Sequence, residues 1–244
     1  VGALRPGRHG HGGHLAVTDA ARIAQAGERA LDAARSLWTS TIVDPPHGTS
    51  SEKAQYSLAR IDEMIRSDRG LAWSWRGPYR GDGDYQWCGA FAAWCWAAAG
   101  LLLAHRIAWW SSTYRLDRWA SYKQLEVGPH DPTNPPPAPG ELRRLYQRCD
   151  GQSSPGSLLW PPRPGDVALV GTRGYGSHIT IVEEYSEADR QIQTLSGNGW
   201  GTLGDGKRGQ GVVRRAYPIG AARPDQTSHV RRLLRPALTD LEAS

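Results

Sequence analysis

A single phenylalanine, three cysteines and no long apolar run set the first limits on this chain of 244 residues. Crossing a bilayer takes about 20 consecutive apolar residues, and no segment comes near that, so no membrane span is expected. The opening VGALRPGRHGHGGH has no apolar core of the secretory kind. Because the first residue is Val, the chain is also read as compatible with a trimmed product, which leaves the export route open. Cys88, Cys95 and Cys149 are odd in number and too few for a disulfide framework. Cys88 and Cys95 would lie two turns apart on one helix, beyond disulfide reach, so a free thiol is expected.

What is present is lopsided. Eleven Trp and nine Tyr stand against the one Phe, and these rings combine an apolar body with a polar edge. They suit a core that reaches a wet groove, including a sugar-stacking surface. The formal net charge of +5 favours an anionic partner, with nucleic acid and bacterial cell-wall polymer as the two obvious classes. The basic residues are scattered in short pairs such as Arg143-Arg144, Arg214-Arg215 and Arg231-Arg232, without a nucleic-acid motif. Nucleic acid is therefore the weaker choice.

Along the chain, residues 1–14 read as a solvated tail in which His9, His11 and His14 are not expected to hold a metal. Helical spacing runs from about Thr18 to Trp38, through Ala20, Ile23, Ala26, Ala30, Leu31, Ala34 and Leu37. A linker, Asp44-Pro45-Pro46-His47-Gly48, precedes a second helix capped by Ser50 or Ser51 and running to about Ser67. These two helices are read as packing support, in an extension over residues 1–70 ahead of a catalytic domain over 71–235, with a tail at 236–244. A third helical stretch is expected at Ser112 to Gln124. A Pro-rich surface insertion follows over 127–162, with a short helix at 141–148 and an incidental thiol at Cys149. Strands are expected at Val167–Val170, His178–Glu184, Gln191–Ser196, Val212–Tyr217 and Val230–Leu234. Helices first and strands later give an α+β fold.

The stretch Gly81–Gly100, GDGDYQWCGAFAAWCWAAAG, organises the rest. Its Gly-rich opening reads as a loop and its Ala-rich remainder as a buried helix ending at Gly100. Cys88 falls on the first turn, where unpaired amides and the helix dipole favour a thiolate. Cys95, in mid-helix, reads as a small buried hydrophobe. A cysteine nucleophile needs an imidazole and a third group to hold the ring. His178 is the best placed, opening a strand after a Gly-rich loop, whereas His105 and His130 read as solvated loop residues. If the turn near Ser186–Asp189 closes a regular hairpin, His178 lies opposite residues 197–198. By period two, Ile192, Thr194, Ser196 and Asn198 share a face, so Ser196 and Asn198 are the polar groups available to His178. Trp87, Tyr175 and Trp200 are candidate groove walls, though Trp87 and Trp200 read equally well as core.

WCGAF with Cys88, RPGDVALV at 163–170, GSHITIV with His178 and LSGN ending at Asn198 stand in an order that resembles the CHAP and NlpC/P60-like amidase group. The resemblance covers about residues 80–205. It implies a papain-like fold, with the nucleophile helix packed on an antiparallel sheet and extra helices at the N-terminal side. It also implies cleavage of peptidoglycan, as an N-acetylmuramoyl-L-alanine amidase or a peptide endopeptidase. Cys88 would attack, His178 would carry the proton and Asn198 would orient the ring. The Cys88 amide, with the Gln86 or Tyr85 side chain, would hold the oxyanion. Many members carry Glu-Gly-Asn where this chain has Ser196-Gly197-Asn198, so Asn198 would orient the ring alone. Asp82 and Asp84 are similar to the acidic loop of calcium-binding members, but Ala90 stands where a further carboxylate belongs. No metal or organic cofactor is expected.

The expected setting is the cell wall, periplasm or exterior, with peptidoglycan or another anionic wall polymer as partner. Two alternatives stay open: an antibacterial toxin using the same site, with an immunity protein as partner, and a non-catalytic Trp-rich wall-binding module.

Overall fold

The computed structural model describes residues 19–67, 78–81, 86–100, 142–147 (as backbone), 161–171, 177–219 and 228–236. The expected helix at Ser112–Gln124, the residues Asp82, Asp84, Tyr85, Cys149 and Tyr175, and both terminal tails lie outside these.

Ala26, Ala30, Leu31, Ala34 and Leu37 recur at helical spacing, and all five are buried on one side of helix α1 (Asp19–Thr39). Helix α2 (Glu52–Ser67) starts where the Ser51 hydroxyl accepts the Ala54 amide at 3.3 Å, and it buries Ile61, Met64 and Ile65. Helix α3 (Cys88–Ala98) is covered nearly all round, with Phe91, Cys95 and Trp96 at its centre. Its last carbonyls meet a cation, because the Arg29 guanidinium of α1 donates to the Ala99 carbonyl at 3.1 Å. Gly100 then takes a φ of 90° that ends the helix.

Six strands follow: β1 (Leu142–Gln147), β2 (Val167–Gly171), β3 (His178–Ser186), β4 (Gln191–Thr202), β5 (Arg208–Pro218) and β6 (His229–Pro236). They form one antiparallel sheet in the order β1-β6-β2-β3-β4-β5. The molecule is thus α+β, as expected. One local expectation is corrected: residues 142–147, read as part of a helix inside a surface insertion, form edge strand β1. Their partner is β6, some ninety residues on, and nothing in the local pattern reveals such a pairing.

The sheet has two buried faces. Val167, Leu169, Ile179, Ile181, Leu195, Val212 and Leu234 pack with the three helices in one core. Ala168, Val170, Val182, Ile192, Tyr217, Val230 and Leu233 form a second cluster on the opposite face. Helices α1 and α2 therefore share the core of α3 and the sheet. Glu183 of β3 locks α1 down: it accepts from Arg35 at 3.1 Å and from two nitrogens of Arg214 at 2.7 and 2.6 Å. The Arg214 guanidinium also lies 3.9 Å from the Trp38 ring centre.

The turn entering β2 ties the layers together. Asp166, 2% exposed, accepts the Arg163 amide at 2.8 Å and two Arg235 nitrogens at 2.8 Å each. The preceding Gly165 carbonyl accepts from the Trp96 indole at 3.0 Å, so the turn is fixed to α3 as well as to β6.

Candidate active site

Helix α3 begins without a side-chain cap. Its N-cap residue is Trp87, at φ −99° and ψ 14°, an unusual choice where Ser, Thr, Asp or Asn is preferred. Free amides at a helix start need acceptors. The Cys88 sulfur lies at that end, where backbone groups of Ile179, of Gly89 and of Cys88 itself act to lower its pKa. The Ile179 contact is long-range: it brings the helix tip against the first residues of β3, beside His178.

Burial outweighs those amides. Cys88 is 5% exposed, and desolvation pushes its thiol above the usual 9.0. The dipole argument from sequence gives the opposite sign, because it counts the amides and not the burial of the sulfur. Burial also pushes Cys95 up, well above 9.0.

On the sheet, Ile181 faces Leu195 and Val182 faces Thr194, and that register carried on sets His178 opposite Asn198. At this point β4 bulges. Its register against β5 shifts between Ser196 and Gly199, and Asn198 takes a left-handed φ of 53°. The bulge sends Gly197 and Gly199 to opposite faces. A Cβ on Gly197 would stand 2.2 Å from the Trp87 ring, so only glycine lets α3 come this close to the sheet. A Cβ on Gly199 would instead lie 3.0 Å from Ser196 Oγ and 3.4 Å from His178 Nε2.

The imidazole and the Ser196 hydroxyl thus share the face turned away from the helices, while the neighbouring Ile179 packs toward them. Both His178 Nε2 and Ser196 Oγ are buried without a hydrogen-bond partner among the described residues. Among those residues, no hydrogen bond joins His178 to Cys88. The Asn198 side chain is engaged elsewhere: its Oδ1 accepts from Gln210 Nε2 at 3.4 Å. The structure brings Cys88, His178, Ser196 and Asn198 to one end of the sheet, with Ser196 Oγ and His178 Nε2 both beside Gly199.

No family model, curated protein or solved structure matches this chain.

The site is therefore judged on its own chemistry. Burial, helped by the positive charge of Arg215, lowers the His178 pKa from 6.5 to about 4. At neutral pH the thiol and the imidazole are both uncharged in this conformation, and the backbone amides stand ready for a negative charge on sulfur or on an acyl oxygen. The depressed histidine has a measurable consequence. Between pH 6.5 and 4 the unfolded chain binds a proton that the folded one resists, so His178 contributes stability above pH 6.5 that is lost as pH falls toward 4. The difference amounts to ~3 kcal/mol. Urea unfolding at pH 7 and pH 4 should show that loss in the parent, and His178→Gln should lack that share of it. Equal acid sensitivity of the two proteins would contradict the buried, neutral imidazole.

Of the remaining candidates, Gln86 is exposed beside the helix start, and Tyr85 and Tyr175 lie outside the described residues. Trp87 is wholly buried, its indole donating to Asp44 at 3.2 Å, which makes it core rather than a groove wall. Trp200, on β4 two residues past Asn198, is 58% exposed and free to meet a ligand. A cavity of about 460 Å³ lies away from this end, among Arg35, Glu183, Gln193 and Arg214, four residues along β3 from Ile179. Its charges are largely paired with one another. Among the described residues no group of three or more His, Cys, Asp or Glu side chains converges. Sequence reasoning missed Asp44, Tyr79 and Gln210, which surround the helix tip from distant segments and carry no local signal.

Proposed function

We propose that this chain is a cysteine hydrolase of amide or peptide bonds, acting on bacterial peptidoglycan in the papain-like manner of the CHAP and NlpC/P60 group it resembles. One observation carries the reading: a buried cysteine at the tip of a buried helix, close enough to Ile179 for that residue's backbone to act on its thiol, beside the histidine that opens β3. In the reaction the Cys88 thiol gives its proton to His178 as sulfur attacks the substrate carbonyl. The Gly89 and Cys88 amides receive the charge that develops on the acyl oxygen. His178 then protonates the leaving amine, and water, deprotonated by the same imidazole, hydrolyses the thioester to acid and free thiol. Because no hydrogen bond joins His178 to Cys88 among the described residues, the proton transfer requires a rearrangement at the start of β3 that brings imidazole and thiol together. The proposed setting is the cell wall, periplasm or exterior, and a toxin acting on a competitor's wall would use the same steps.

A second reading, a wall-binding module without turnover, is favoured by the covered thiol, the imidazole turned from it and the exposed Trp200. Digestion of purified peptidoglycan separates the two. The hydrolase is expected to release soluble fragments, whose masses distinguish a cut at the muramoyl–peptide amide from one within the stem peptide. A protein that sediments with the wall and releases nothing is the binding module.

A further inference from the structure

Asp44 comes from the segment between α1 and α2, which reads in sequence as a plain linker. In the structure that segment is bound down: Val43 bridges to Gly211 of β5, and the Asp44 amide donates to the Gln210 carbonyl at 2.9 Å. The approach is so close that a Cβ on Gly211, whose φ is 151°, would stand 2.2 Å from the Ile42 carbonyl oxygen. The Asp44 side chain is 7% exposed and set among donors. The Tyr79 hydroxyl donates to Oδ1 at 2.8 Å and the Trp87 indole to Oδ2 at 3.2 Å. Gln210 Nε2 reaches Oδ2 at 3.4 Å and Asn198 Oδ1 at the same distance.

One buried carboxylate thus holds the residue immediately before Cys88 and, through a single amide, the bulge residue Asn198. Burying a carboxylate is unfavourable unless every bond to it is made, and an apolar side chain would fill the same space at less cost. What the acid adds is direction. Its oxygens fix the angle of the Trp87 indole, hence the start of α3, and they hold the Gln210 amide that meets Asn198. We infer that Asp44 is a positioning residue that sets Cys88 and the Asn198 bulge in register with each other, an inference that rests on the hydrolase reading above. Asp44 is a positioning residue because it acts through Trp87 and the Gln210–Asn198 pair rather than on the reacting atoms.

The test uses the full chain with Asp44→Asn, Gln210→Ala and the double variant. Each single change is expected to lower kcat for peptidoglycan cleavage about tenfold or more, with KM held within about twofold. The double variant should be no slower than Asp44→Asn alone, because the two residues act as one unit. Urea midpoints separate a rate loss from unfolding. Gln210→Ala leaves the Tyr79 and Trp87 bonds to Asp44 in place, so it decides the matter if Asp44→Asn does not fold. Unchanged kcat in the folded single variants, losses that multiply in the double variant, or a defect confined to KM each overturns the inference. A parent that cleaves nothing overturns the hydrolase reading instead. The network is then read by NMR, where the Asn198 side-chain amide signal should move in Asp44→Asn as it does in Gln210→Ala. A signal that stays in place in folded Asp44→Asn overturns the positioning role.

Discussion

Cys88→Ala is expected to cut the release of amines and soluble muropeptides from purified peptidoglycan by a factor of about a thousand or more, while wall binding stays at the parental level. The substitution removes only a sulfur. It leaves the net charge, the exposed Trp200 and the packing of Trp87 and Phe91 against the sheet as they were. Binding should rest on the basic surface and the aromatic side chains, so added salt should weaken it equally in parent and variant. Chemistry should rest on the sulfur at the helix tip, for which alanine has no substitute. His178→Ala should fall to a similar level, since members of a nucleophile–base pair act as a unit. Sedimentation with the wall and mass analysis of the supernatant read the two properties separately. A Cys88→Ala protein that still released fragments would remove Cys88 from the mechanism altogether.

The second large effect concerns the turn beneath the site. Asp166→Ala is expected to destabilise the fold by roughly 3–5 kcal/mol, the range for breaking a buried ion pair from one side. The loss has a definite origin. Arg235 keeps its single bond to the Pro161 carbonyl at 3.0 Å but loses both carboxylate contacts, and the Arg163 amide loses its acceptor. The turn also presents the Gly165 carbonyl to Trp96, so its loosening reaches α3 directly. Asp166→Asn, which keeps an acceptor for the Arg163 amide, should lose less. In urea the midpoint should move while the slope of the transition stays constant, as for a change in stability without a change in surface exposed. An alanine variant as stable as the parent would show that the pair contributes nothing net.

Most of the elements were legible because their signals are local. The stripe from Ala26 to Leu37, the serines before Glu52 and the Ala-rich run after Trp87 each carry a helix in their own spacing. The β-branched runs at Val167 and His178 likewise announce strands, and the turn after Ser186 closes the hairpin that pairs β3 with β4. The sequence therefore determined by itself that a cysteine stands at a helix tip and that a histidine opens a strand. Tertiary structure decided what those positions mean chemically. Period two places Ser196 and Asn198 on one face, but the bulge at Gly197–Gly199 and the left-handed Asn198 break the alternation, leaving Ser196 beside the imidazole and turning the Asn198 amide to Gln210. The thiol's helix-tip position is a local fact, whereas its raised pKa sums desolvation over residues from several segments. Residues 142–147 became a strand, and Asp44 a buried hub, through partners about ninety and up to 166 positions away. Local spacing encodes which element forms; burial and pairing between distant segments depend on contacts that no short stretch of the chain contains.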